Sequence, residues 1–351
     1  METLGLNQEE RDAERREANR RELVQRIMRA VPEDGVVQAL EGLYLARVSK
    51  PGERLHSVVK PSLCVIAQGG KEVLIGDSRY RYDAARYLIA TVELPRISRV
   101  LKATLERPYL SFRLVLSPAV VSSVIIEAGD TTLPQGADVR ATAVSPLDVE
   151  LQEAVLRLVR LLDDPATAPI LMPLISREIV YRLLLGRQGA RLRHLMIRDG
   201  YNPLIARAVE RLRSDVDQPL QVEQLANELG MSVSSFHHQF KAVTEISPMQ
   251  FRKRVRLQEA RRLMLSENLD AATAGFRVGY HDAAHFSREY KSLFGDPPLR
   301  DVLRLREEAL RTDEMRPPKA RILSASAPGP AEPRPSPDPP CSRCASSAAR
   351  R

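Results

Sequence analysis

Residues 230–244 read GMSVSSFHHQFKAVT and follow the run VEQLANEL at 222–229. In that run Val222, Leu225, Ala226 and Leu229 recur at i, i+3, i+4 and i+7, which places them on one helical face. Gly230 can take the positive φ that ends such a helix. Ser232 suits the N-cap of the next one, on which Phe236 and Phe240 stack one turn apart. Ala226, four residues before Gly230, is small enough for the second helix to cross closely. A short turn with a small-residue contact describes a helix-turn-helix.

The arrangement recurs 50 residues later. Gly275 stands four before Gly279, Asp282 suits an N-cap, and Phe286 and Tyr290 repeat the four-residue spacing, with one extra residue in the turn. Between the copies lies PMQFRKRVRLQEARRLML. At 100° per residue Phe251, Val255 and Leu265 share one arc, and Met249, Leu257, Ala260, Leu263 and Met264 lie opposite. A helix with two apolar faces should be clamped between the two lobes. The cluster RKRVR at 252–256 reads as a solvated helix face rather than a phosphate grip.

Outside this region the texture changes twice. From 42 to 117, GLYLARV, SLCVIAQG, EVLIGD, RYLIATV and YLSFRLVL are short apolar or alternating runs broken by turn residues, the pattern of a sandwich or barrel. After Pro118 the period becomes helical, as in PLDVELQEAVLRLVRLLDD. The predicted plan is α+β and multidomain. It comprises a charged helical segment (1–40), a β-rich domain with a helical connector (41–190), a linker (191–204), an all-α domain (205–306) with motifs at about 222–243 and 271–294, and a Pro/Ala/Ser-rich disordered tail (307–351).

Composition narrows the function. The 351 residues carry a net charge of +8, which permits a polyanionic partner without requiring one. Over 201–306 there are 16 basic and 13 acidic residues, a modest excess that predicts salt-sensitive but not extreme affinity. No apolar run of membrane length occurs and the charged N-terminus lacks a signal segment, so a cytoplasmic location is expected. Cys64 reads as a buried small hydrophobe; Cys341 and Cys344 sit in the tail without the further ligands a zinc site needs. Four of the six histidines, His237, His238, His281 and His285, fall in the two motifs. Adjacent histidines on a helix diverge by about 100° and no cysteine or paired carboxylate completes a site, so no metal and no cofactor are expected.

These residues resemble the AraC/XylS transcriptional regulators. The resemblance rests on VEQLANELGMSVSSFHHQFKAVTEISPMQF, RLQEARRLML and FRVGYHDAAHFSREYKSLFG, and, for the subgroup with a cupin-like N-terminal domain, on PSLCVIAQG, RYDAARYLIATVELP, RPYLSFRLVL and SPLDVELQEAVLRLVRLLDDP. It implies a cupin-like β-barrel with helical connector, followed by two helix-turn-helix lobes joined by a linker helix. GDPPLRDV at 295–302 departs from the Ser-Pro and Tyr-Arg of many relatives, which bears on the last helix of the second lobe. By the family motif Ser234, His237 and His238 face bases in the first lobe, beside the capping Ser232, with Lys241 suited to phosphate. In the second lobe Ala284, Ser287 and Arg288 face bases and Lys291 phosphate. Relatives often carry Arg where His238 stands. Histidine cannot make arginine's bidentate contact to guanine, so the first lobe should read bases more weakly or in a pH-dependent way. Arg288 is the leading candidate for a guanine contact.

The resemblance implies double-stranded DNA as partner and a small-molecule effector, of unknown site, in the β-domain; RNA polymerase and a second copy of the chain are further partners it allows. The histidine pair with a following glutamate of cupin metalloenzymes is absent, His56 being the only histidine before residue 190, so enzymatic activity is not expected. The rival is an interaction or dimerisation module that has lost effector or DNA binding.

Overall fold

The computed structural model describes residues 7–129, 140–194, 201–218 and 221–314. Residues 195–200 of the expected linker and 315–351 of the expected tail, with Cys341 and Cys344, lie outside the described residues. No helix among the described residues is long and apolar enough to cross a membrane.

Helix α1 (Gln8–Ala30) opens on a capping box in which the Asn7 side chain accepts from Glu10 N and the Glu10 carboxylate accepts from Asn7 N. Its Leu23 and Ile27 are buried, while Met28 stays exposed. The 1–40 segment is not helical throughout: Gly35–Leu40 forms strand β1. Nine further strands follow: β2 (Leu43–Val48), β3 (Leu55–Val59), β4 (Ser62–Gln68), β5 (Gly70–Ile75), β6 (Ser78–Asp83), β7 (Arg86–Ala90), β8 (Leu94–Lys102), β9 (Tyr109–Val115) and β10 (Thr142–Pro146). They form two antiparallel sheets, β1-β2-β9-β4-β7-β10 and β3-β8-β5-β6.

The expected helical connector is thereby corrected. Strand β10 interrupts it and pairs with β7, Thr142 opposite Ala90 and Val144 opposite Leu88. The helices α2 (Pro118–Glu127), α3 (Val149–Arg160) and α4 (Ala168–Leu185) join α1 in a layer over the six-stranded sheet. Strand alternation divides that sheet between two cores. Leu63, Val65, Leu110, Phe112 and Leu114 turn to the helices, whereas Cys64, Ile66, Leu88 and Tyr109 turn to the facing sheet. Burial on both faces is why SLCVIAQ reads as a continuous apolar run instead of alternating.

After α5 (Gly189–His194) comes an all-helical region: α6 (Tyr201–Ser214), α7 (Val222–Glu228), α8 (Val233–Thr244), α9 (Pro248–Ser266), α10 (Ala271–Arg277), α11 (Ala283–Phe294) and α12 (Pro298–Glu314). Helix α9 has the two apolar faces its sequence predicts. Phe251 and Val255 join the first-lobe core, and Leu257, Ala260, Leu263 and Met264 the second. Met249 and Leu265, assigned to these arcs by angle, stay largely exposed because each lobe covers only part of the helix length.

The first lobe shares its core with the β-domain. Ile75 and Val73 of β5 belong to one apolar cluster with Phe236, Phe240 and Phe251. The β5–β6 turn reaches α8: a Cβ on Gly76 would come within 2.3 Å of the Glu245 carbonyl oxygen. The Tyr80 hydroxyl donates to the Glu245 carboxylate, Ala141 N donates to Val243 O at 2.8 Å, and Arg213 pairs with Glu93. The second lobe touches the β-domain more lightly, through the His56 ring against Phe294 (5.0 Å between centroids) and the exposed pair Arg304–Glu53.

Candidate nucleic-acid interface

The two turns are built alike. Helix α7 ends with Gly230 at φ +67°, Met231 N donating to Ala226 O and Gly230 N to Asn227 O, both at 2.9 Å. Helix α10 ends with Gly279 at φ +82°, Tyr280 N donating to Gly275 O and Gly279 N to Phe276 O, both at 3.0 Å. Each is a Schellman motif, which satisfies the last carbonyls of the first helix while turning the chain. The following helices are capped as their sequences suggest. Ser232 Oγ accepts from Ser235 N at 3.2 Å, and the Asp282 carboxylate accepts from Ala284 N at 2.8 Å. The backbone N–H groups of Ala284 and His285 hold the Asp282 carboxyl below its usual range.

Small residues admit the second helices. A Cβ on Gly275 would lie 3.0 Å from the Phe286 ring, and Ala226, its counterpart, is fully buried in the first lobe. Phe236, Phe240, Phe286 and Tyr290 are all 0% exposed. Phe236 packs on Phe240 at 5.5 Å and Phe240 edge-on against Phe251 at 5.6 Å, while Phe286 meets Tyr290 at 5.6 Å.

With these rings turned inward, the opposite faces of α8 and α11 are open. Ser232, Ser234, His238 and Lys241 are exposed and His237 is half-buried; Ala284, Arg288 and Lys291 are exposed and Ser287 is half-buried. Among the described residues His237, His238, Lys241, Arg288 and Lys291 make no ion pair or side-chain hydrogen bond, so their donors are available to a ligand. Ser232 differs, since its hydroxyl is already the cap. His285 stands 3.7 Å from the Glu289 carboxylate. No group of three His, Cys, Asp or Glu side chains converges among the described residues.

The basic cluster on α9 behaves in the opposite way and corrects the expected solvated face. Arg252 is buried and donates to Asp215 O at 2.6 Å; burial, with Arg256 nearby, lowers its guanidinium to about 10. Arg256 donates to the carbonyls of Val216, Asp217, Gln218 and Gly279, tying the α6–α7 loop to the second-lobe turn. Lys253 pairs with Glu289 at 2.9 Å. These are internal ties, which a helical wheel cannot distinguish from a solvated stripe.

A second anchor was also hidden. Asp301, 0% exposed in the departing stretch GDPPLRDV, accepts both Arg261 donors at 2.7 and 2.6 Å, the Tyr290 hydroxyl at 2.7 Å and Arg304 at 2.9 Å. Burial and that hydrogen bond push the Tyr290 phenol up, so it stays a neutral donor. The departure therefore leaves α12 formed and pinned to α9 and α11. The signal that could have found it is an acid placed among apolar residues one turn into a helix that packs on arginine-rich α9.

Two family models match the chain: the AraC-type transcriptional regulator N-terminus over residues 39–191, and a helix-turn-helix domain over 225–301. This chain belongs to the AraC-type transcriptional regulators. The first match spans β2 to β10 with α2, α3 and α4, and the second spans α8 and α11. Among curated relatives, the HTH-type transcriptional activator RhaS of Klebsiella pneumoniae is 30% identical over 139 residues, 39% of this chain and 48% of the relative. The HTH-type transcriptional regulator ArgR of Pseudomonas aeruginosa is 24% identical over 130 residues, 36% of this chain and 39% of the relative. The chain thus spans less than half the length of these relatives. Among solved structures, ToxT of Vibrio cholerae O395 bound to (E)-4-(8-methylnaphthalen-1-yl)but-3-enoic acid aligns over 74% of this chain and 97% of its own, with a TM-score of 0.52 and 10% identity, a likeness of fold.

Proposed function

We propose that the AraC-type chain is a sequence-specific regulator of transcription whose helices α8 and α11 enter adjacent major grooves of one DNA duplex. The observation that carries this reading is the pair of similarly turned, capped lobes that present unpaired donors, while Arg252 and Arg256 of α9 are consumed internally. Helix α9 sets the spacing, and insertions one helical turn apart correspond to ~34 Å. Ser234, His237, His238, Ala284, Ser287 and Arg288 face base edges beside the capping Ser232, and Lys241 and Lys291 serve phosphates. Arg288 supplies the bidentate contact to guanine.

In this reading a small-molecule effector in the β-domain controls placement of the lobes. Support comes from the shared core of β5, α8 and α9, and from the Tyr80–Glu245 and Ala141–Val243 bonds, through which a shift in the barrel reaches the first lobe. RNA polymerase and a second copy of the chain complete the set of partners. Genome-wide footprinting with purified protein at two salt concentrations, beside Arg288→Ala, tests the reading. Protected sites with two contacts one turn apart, weakened in the variant, are expected; protection that is diffuse and identical in both proteins would sink it.

A further inference from the structure

Three cations point between the two sheets, and no carboxylate among the described residues pairs with them. Lys71 lies on β5, Arg96 on β8 and Arg113 on β9, each on the inward-facing register of its strand: Lys71 is directly opposite Tyr82, and Arg113 directly opposite Cys64. Among the described residues none of the three makes an ion pair. Arg113 rests its guanidinium 4.1 Å from the centre of the Tyr44 ring, and the Lys71 ammonium lies 5.9 Å from that of Tyr109. Arg96 is 8% exposed, and its Nε is buried with no hydrogen-bond partner.

The three charges feel one another. Burial first, then Arg96 and Arg113, lower the Lys71 ammonium to about 8. Burial and Arg96 likewise lower the Arg113 guanidinium. Like charges gathered in a low-dielectric interior destabilise the fold unless an opposite charge joins them. The neighbouring phenols of Tyr82 and Tyr109 are pushed up by burial and remain neutral hydrogen-bond donors.

The inward faces of β2 and β9 are also less covered than their outward faces. On β2 and β9 the side chains turned to the helical layer, Leu43, Leu45, Leu110 and Phe112, are 0% exposed. Those turned inward, Tyr44, Ala46, Ser111 and Arg113, are only half-buried. Lys71 is deep among neighbouring atoms yet keeps accessible surface of its own. Ile66, Val73 and Leu88 give the inner walls an apolar stretch beside the cations.

We propose that the interior of the β-domain binds a small organic carboxylate, its charged group held by Lys71, Arg96 and Arg113 and its apolar body laid against the inner faces of β4, β5 and β7. This rests on the effector reading above and names the effector's chemical class. An uncharged ligand of the same shape would leave the cations unmatched.

The test uses the full chain at constant ionic strength, with butyrate, hexanoate and cyclohexanecarboxylate, their neutral amides, and inorganic phosphate. Melting temperature, calorimetric affinity and DNA affinity are measured for the parent, Lys71→Met and Arg113→Met. The acids are expected to raise the melting temperature and to bind at least tenfold more tightly than the amides. Each variant should melt at or above the ligand-free parent, because it sheds an unmatched buried charge, and should lose at least tenfold in acid affinity. A merely structural lysine would instead lower the melting temperature. Failure of all three acids to exceed their amides overturns the proposal, whatever the variants do. Phosphate binding as tightly as the best acid overturns the choice of carboxylate. Amides that match the acids and alter DNA affinity overturn the anion site but keep the effector reading. Acids that bind without altering DNA affinity keep the site and end the effector reading.

Discussion

The two lobes share a turn and differ in what lies behind it. The first merges its phenylalanines with the β-domain interior and offers Ser234, His237 and His238 to solvent. The second keeps a separate core, locked by the buried Asp301 network, and offers Arg288. A lobe whose core is continuous with another domain moves with that domain, whereas a lobe with a self-contained core suits invariant reading. Under the proposed function, the contrast puts coupling mainly in the first lobe and base discrimination mainly in the second.

The largest effect should come from Asp301→Ala. It strands Arg261 in a largely buried site, and breaking a buried pair in this way costs about 3–5 kcal/mol. Denaturant unfolding should show the loss, and Asp301→Leu combined with Arg261→Met should recover much of it. A variant as stable as the parent would deny the second lobe its separate anchor. Gly275→Ala comes next. Its methyl meets the Phe286 ring at 3.0 Å, an overpacking worth about 1–3 kcal/mol. The mirror change Ala226→Gly should cost only ~0.5–1 kcal/mol through helix propensity; equal losses would erase the difference in helix approach.

On DNA, Arg288→Ala should lose about 1–3 kcal/mol of discrimination at one base pair, with His238→Ala losing less. Competition footprinting on single-base operator variants measures both, and a larger loss at His238 would reverse the assignment. Lys241→Ala and Lys291→Ala should weaken binding evenly across sequences, each reducing the salt slope by about 1.

The last expected effect is one of pH. Burial, then Arg261 and Arg254, hold the His56 imidazole near about 4, against a contribution from Asp301 and with Arg54 adding to the lowering. Between that value and the ordinary 6.5 the unfolded chain binds the extra proton, so stability rises with pH across this window. The contribution is complete above about 6.5 and is lost as pH falls towards about 4. His56→Phe, which keeps an aromatic ring beside Phe294, should flatten that part of the stability profile. An unchanged slope would show that the light contact of the second lobe is not what titrates.

How much could be read in advance followed the range of the interaction. Gly230, Ser232, Gly279 and Asp282 act within a few residues, so their φ angles and caps were legible. The two-faced pattern of α9 was legible too, as a matter of period. Arg252 and Arg256 were misread because their partners are carbonyls about forty positions away. Strand β10 was missed because five residues carry too little period, and pairing with β7 is what makes them a strand.

The sequence alone therefore determined the repeated lobe, its spacing and its inward aromatic pairs, since helix period and backbone conformation are local properties. Only the tertiary structure decided which basic residues are free and which are consumed. It alone joined the first lobe to the barrel and gathered Lys71, Arg96 and Arg113 from three strands of two sheets. Charge and burial depend on neighbours distant in the chain, and a linear pattern does not contain them.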